Sequence, residues 1–146
     1  MTIKISTGLA NKLLDTGSLK ATMAAGFLKI YTGSPPADAD SAVSGTLITT
    51  ISIASGGTGI NFDTTAAAGV LAKAPAETWS GVNGSTNTAG YFRHVAPGDT
   101  GASSTTQPRI QGTIGTVGAD LNLTSVSLIN AVTQTIDFYT VAMPLA

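Results

Sequence analysis

The chain has 146 residues, a net charge of −1 and only 10% charged side chains, against roughly a quarter in ordinary soluble domains, and its length suits one domain around a two-layer core. Seven basic residues set against eight acidic ones provide no basic footprint, so neither nucleic acid nor a membrane surface is an expected partner. The absence of cysteine removes disulfides, thiolate metal ligands and cysteine nucleophiles together.

The first six residues lack a basic region followed by an apolar run. No apolar stretch approaches the ~18 residues of a membrane span, so the sequence predicts a soluble, unprocessed chain made in a cytoplasm. Ser6 or Thr7 is placed to cap a short helix over 8–15, in which Leu9 and Leu13 share one face. Ser18 can cap a second turn or two running to Met23, and Gly26 offers the left-handed residue that ends the helical segment.

From Phe27 the apolar period changes to two, predicting a strand through Tyr31 that leads into the Pro-rich loop 33–40. A strand over 46–53 follows, then a turn at 55–59 and short strands at 60–62, 70–73 and 77–80. Further strands are expected at 91–95, 109–117 and 120–124. The strongest alternation comes last: Val132, Gln134, Ile136 and Phe138 set against Thr133, Thr135, Asp137 and Tyr139, which predicts a central strand. About eight or nine short strands after one helical segment predict a mainly β, antiparallel β-sandwich, jelly-roll or barrel occupying residues 1–146 as one domain, with 1–6 as a possible extended arm.

Catalytic and ligand-binding patterns are sparse. His94 is the one histidine, without the partners a zinc site requires, and reads as a surface strand residue. Asp38 and Asp40 have calcium-loop spacing, but the later carboxylates are missing, which leaves a solvated turn. Neither Gly56–Gly59 nor the glycines at 112, 115 and 118 complete a nucleotide loop. No Gly-x-Ser-x-Gly elbow is present, so the reading is of a non-enzyme without cofactor or metal, with paired acids across a cleft as the enzyme alternative. Trp79, Tyr91, Phe92 and Tyr139 fit core or interface positions better than a sugar-stacking platform.

The segments Ile5–Lys20, Leu28–Asp40 and Gly45–Ile48, continued by Gly90–Arg93, Arg109–Gly115 and Asp120–Leu121, carry a resemblance that spans most of the chain. Together they resemble the capsid decoration or cement proteins of tailed bacteriophages, of the Bordetella podophage type. That resemblance implies a jelly-roll on the outer capsid surface that clamps neighbouring capsomers, with the major capsid protein and a second copy of itself as partners, a dimer being favoured over a trimer.

Abundant Thr, Ser, Gly and Ala suit such a role, because these side chains lose few rotamers when an interface immobilises them. The residues expected to make capsid or self contacts are Ile3, Lys4 and Ile5 of the N-terminal arm, with Trp79, Tyr91 and Tyr139. The arm residues fit an edge strand of their own sheet equally well. A tail or baseplate component and a carbohydrate-binding jelly-roll module are the competing readings.

Overall fold

A computed structural model describes residues 3–145. The protein is mainly β. Its elements in chain order are β1 (Lys4–Ile5), α1 (Thr7–Asp15), α2 (Leu19–Thr22), β2 (Phe27–Thr32), β3 (Leu47–Ile53), β4 (Val70–Ala72), β5 (Trp79–Val82), β6 (Asn87–Val95), β7 (Arg109–Gly115), β8 (Leu121–Asn122), β9 (Ser127–Leu128), β10 (Thr133–Ile136) and β11 (Thr140–Ala142).

Nine strands form one sheet in the order β1-β7-β6-β2-β3-β5-β10, with β8 added to β7 and β9 to β6, while β4 and β11 make a separate two-stranded sheet. The pairs are antiparallel except β7 with β8. Antiparallel layers around a shared core agree with the sandwich class expected from the strand pattern.

Local chemistry explains the helical start. Ser6 is the N-cap of α1, and its Oγ accepts from the Leu9 amide at 3.1 Å. The same oxygen accepts from the Arg109 amide at 2.9 Å and donates to the Gln107 carbonyl at 2.6 Å, so one buried hydroxyl fastens the helix to β7. Asp40 adds a second fastening, accepting from the Thr7 amide and hydroxyl, where a carboxylate also complements the helix dipole. Ser18 caps α2 through the Ala21 amide as expected.

The segment ends differently from the sequence reading. Ala25, not Gly26, takes the left-handed conformation, with φ of 56°. Gly26 is needed for another reason, since a Cβ there would lie 2.3 Å from the Val95 carbonyl oxygen.

The central strands are covered on both faces. On one, Ile51, Leu28, His94 and Ile110 form a cross-strand row beside Ile30 and Phe92, and Leu9, Met23, Ile60, Phe62, Trp79 and Tyr139 close over them. On the other, Lys29, Arg93 and Gln111 form a polar row beside the stacked rings of Tyr31 and Tyr91.

The last strand corrects the sequence reading. β10 ends the ladder, pairing only with β5, and is not central. Of its alternating set only Ile136 is buried, while Val132 is 51% and Phe138 89% exposed. After Ile136 the chain leaves the ladder and carries the Tyr139 ring over the core, so the period of two does not describe one face.

Candidate functional site

The described part of the N-terminal arm is an edge strand. Lys4 and Ile5 pair with Gln111 and Ile110 of β7, and the Lys4 ammonium donates to the Ala37 carbonyl. Met1 and Thr2, the tip of the expected arm, lie outside the described residues. Ile3 and Ile5 keep 38% and 48% of their surface in solvent. Ile3 and Phe138 border one hollow of about 290 Å³, together with Leu121, Asn122 and Thr140. The alternation sets Phe138 beside Ile136 in a strand expected to be central, and its ring is instead the most exposed large apolar side chain among the described residues.

The other three expected contact residues are withdrawn from the surface, which corrects their assignment. Trp79 is 1% exposed, with its Nε1 donating to Glu77 at 2.9 Å and its ring 5.5 Å from that of Tyr139. Tyr139, 6% exposed, also packs its ring against Phe62, Phe92 and His94. Tyr91 is fully buried, stacked on Tyr31 at 5.1 Å, and its hydroxyl donates to the Ser44 carbonyl and accepts from the Ser44 amide. Burying these large rings yields more free energy than a surface contact of the free chain could. His94 is likewise no surface residue, being 1% exposed.

The polar face holds the charged chemistry. The Arg109 guanidinium grips Asp99 through Nε and Nη2, at 2.5 and 2.9 Å, and donates to the carbonyls of Ala39 and Ala102. Arg93 donates through Nε and Nη2 to Gln111 Oε1 and through Nη1 to the Ser41 carbonyl. Gln111 Nε2 completes the row by donating to the Pro36 carbonyl.

The fork geometry of arginine suits the holding of several backbone carbonyls at once. Two loops, 33–46 and 96–108, are thereby tied down on the sheet. Burial pushes the Asp99 carboxyl up, but hydrogen bonds from Arg109 and the Gly101 amide outweigh it and hold the group below the usual carboxylate range. Burial, then the Arg109 charge, lowers Arg93. Burial and the neighbouring Tyr91 push the Tyr31 phenol up to about 12.

The acids serve as fasteners. Six of the eight accept hydrogen bonds inside the chain: Asp38 from Ser41, Asp40 from Thr7, Asp63 from Thr64, Glu77 from Asn61 and Trp79, Asp99 from Arg109, and Asp120 from Thr113. Asp38 and Asp40, expected as a merely solvated turn, therefore organise the Pro-rich loop and the start of α1. Among the described residues no three His, Asp or Glu side chains gather as a metal-binding group.

The sequence signal for the arginine cluster is the presence of charged residues inside otherwise apolar strands, at Arg93 and Arg109, which strand periodicity alone does not interpret. Compared with protein-family models, curated proteins and solved structures, the chain matches none.

Proposed function

We propose that this chain is a structural virion protein that binds the outer surface of a phage capsid and cements neighbouring capsomers, with the major capsid protein and a second copy of itself as partners. The observation that carries the reading is the division of its side chains. The three charged side chains of the two long loops, Asp38, Asp40 and Asp99, are all engaged internally, whereas Ile3, Ile5 and Phe138 face solvent near the β1 edge.

A plate with fixed loops and outward apolar groups supports a passive contact role, because preorganised loops lose little entropy on docking. The resemblance of segments 5–20, 28–40, 45–48, 90–93, 109–115 and 120–121 to phage cement proteins supports the same role. Many copies on a symmetric shell convert a modest contact per copy into a large collective stabilisation. A sugar-binding role finds less support, since the stacking platform it requires at Trp79 and Tyr139 is buried.

The test uses capsids lacking this protein. Purified chain is added, bound and free fractions are separated by sedimentation, and both particle samples are heated. Saturation at a fixed ratio to the shell protein, with a raised disruption temperature, is the expected result. No binding to the shell would overturn the capsid assignment and favour a tail or baseplate location.

A further inference from the structure

His94 sits where a charge is hardest to hold. It lies on β6, paired on one side with Leu28 of β2 and on the other with Ile110 of β7. Phe62, Trp79 and Tyr139 complete a cage, with ring centroids 5.5, 6.1 and 5.4 Å from the imidazole. Nδ1 meets the Tyr139 hydroxyl at 3.2 Å, while Nε2 is buried without a hydrogen-bond partner in the described chain. A neutral ring tolerates one unsatisfied nitrogen, but an imidazolium must satisfy two N–H donors and a full charge.

Among the described residues no carboxylate is placed to compensate that charge. Arg93 on the same strand, Lys29 on β2 and Arg109 and Gln111 on β7 all lie on the opposite face by strand alternation. On the β5 side, Glu77 is bonded to Trp79 Nε1 and to Asn61, and the Lys73 ammonium lies 5.8 Å from the centroid of the Trp79 ring. Asp63, beside Phe62, bonds to Thr64. Among the described residues Tyr139 is the titratable group that hydrogen-bonds His94, and burial pushes its phenol upward, so it does not ionise to help.

The two sides of the cage are unequally anchored. β6 is held by ladders on both sides, whereas Phe62 and Tyr139 belong to a smaller unit made of segment 62–74 and β11, joined to the rest through the Ile60 amide on the Gly26 carbonyl, Asn61 on Glu77 and the Lys20 ammonium on the Thr64 carbonyl. That unit holds itself together through the Lys73 amide on the Tyr139 carbonyl, the Asp63 amide on Ala72 and the Met143 amide on Gly69. A groove of about 390 Å³, lined by Leu19, Leu71, Val141 and Met143, separates its outer side from α2. The shortest relief for a charged His94 is therefore to lift this lid and admit water.

We propose that His94 is an acid-operated latch, whose protonation drives Phe62, Tyr139 and the β4–β11 sheet they accompany off the central sheet. This inference is independent of the capsid assignment. Burial lowers the imidazole from 6.5 to about 3 in the closed protein. The open form binds the proton more readily, so closure is fully favoured above the ordinary value. It then weakens about tenfold per pH unit as pH falls toward the closed value.

The single histidine and single tryptophan make the test direct. The imidazole Hε1 resonance and Trp79 fluorescence are followed from pH 8 to 3.5, and amide exchange corrected for intrinsic pH dependence is measured at residues 71, 73, 141 and 143, whose amides point into the β4–β11 ladder. The expected result is no His94 titration near 6.5 in the closed form, and an acid step in which these lid amides lose protection before those of Phe92 and Ile110. His94→Gln and His94→Leu each remove the proton site, and whichever folds should show a flat response between pH 6 and 4. Ordinary titration of His94 with native Trp79 fluorescence, an acid step unchanged in the variants, or simultaneous loss of lid and central amides would overturn the latch.

Discussion

The two faces of the central sheet are built on opposite principles from the same strands. On β7, Ile110 faces an apolar layer in which contacts are many and individually weak, while its neighbour Gln111 faces a layer in which few contacts are strong and directional. The apolar face tolerates a small misfit, because the surrounding side chains share the loss. The polar face does not, because each donor or acceptor removed leaves a buried group without a partner. Graded response on one side and steep response on the other is the expected behaviour of this fold.

The largest effect belongs to Asp99→Ala. Asp99 and Arg109 have side chains 0% and 1% exposed, and removing one partner of such a buried pair costs about 3–5 kcal/mol through the charge left behind. Urea unfolding should show the midpoint falling by that amount divided by the m-value. Replacing both partners, with Asp99→Leu and Arg109→Met, removes the stranded charge but still orphans the carbonyls of Ala39 and Ala102, so the double variant should recover only part of the loss. Because Asp99 is held below its usual 3.8, the pair's contribution is present at neutral pH and is lost as pH falls through the lowered value.

Ile110 and Gln111 test the comparison within one strand. Ile110→Val should cost about 0.5–1.5 kcal/mol, the usual effect of one buried methylene. Gln111→Leu keeps the volume but strips Arg93 of its Oε1 partner and frees the Pro36 carbonyl, for an expected loss of about 2–3 kcal/mol. Denaturation of the two variants side by side decides the matter, and equal losses would refute the contrast between the faces.

This contrast also explains what the sequence made legible. The capping serines, the change of period at Phe27 and most strand positions were readable because they depend on local chemistry between near neighbours. Arg93, Arg109 and Asp99 are not recognisable as a unit because their partners lie 7–70 residues away and are mainly backbone carbonyls of loops, which have no sequence signature. Tyr139 and Phe138 were misassigned for a related reason. Their alternation continued β10 on paper, but the ladder ends at Ile136, after which the larger core gain comes from turning Tyr139 inward. His94 was read as exposed because one histidine in a strand reveals nothing of the lid that covers it.

Phe138→Ser is expected to have the smallest effect on folding and separates the outer surface from both faces. At 89% exposed, the ring makes so little contact with its own chain that stability should change by no more than about 0.5 kcal/mol. On the proposed capsid role, the same substitution removes an aromatic anchor from the contact, and the capsid-binding constant should weaken on the order of tenfold. The pairing of an unchanged urea midpoint with weakened sedimentation would place Phe138 in the interface. Unchanged binding would move the contact elsewhere on the surface, with Ile3 and Ile5 the next residues to replace, because they are exposed and the edge strand at or beside them is only two residues long.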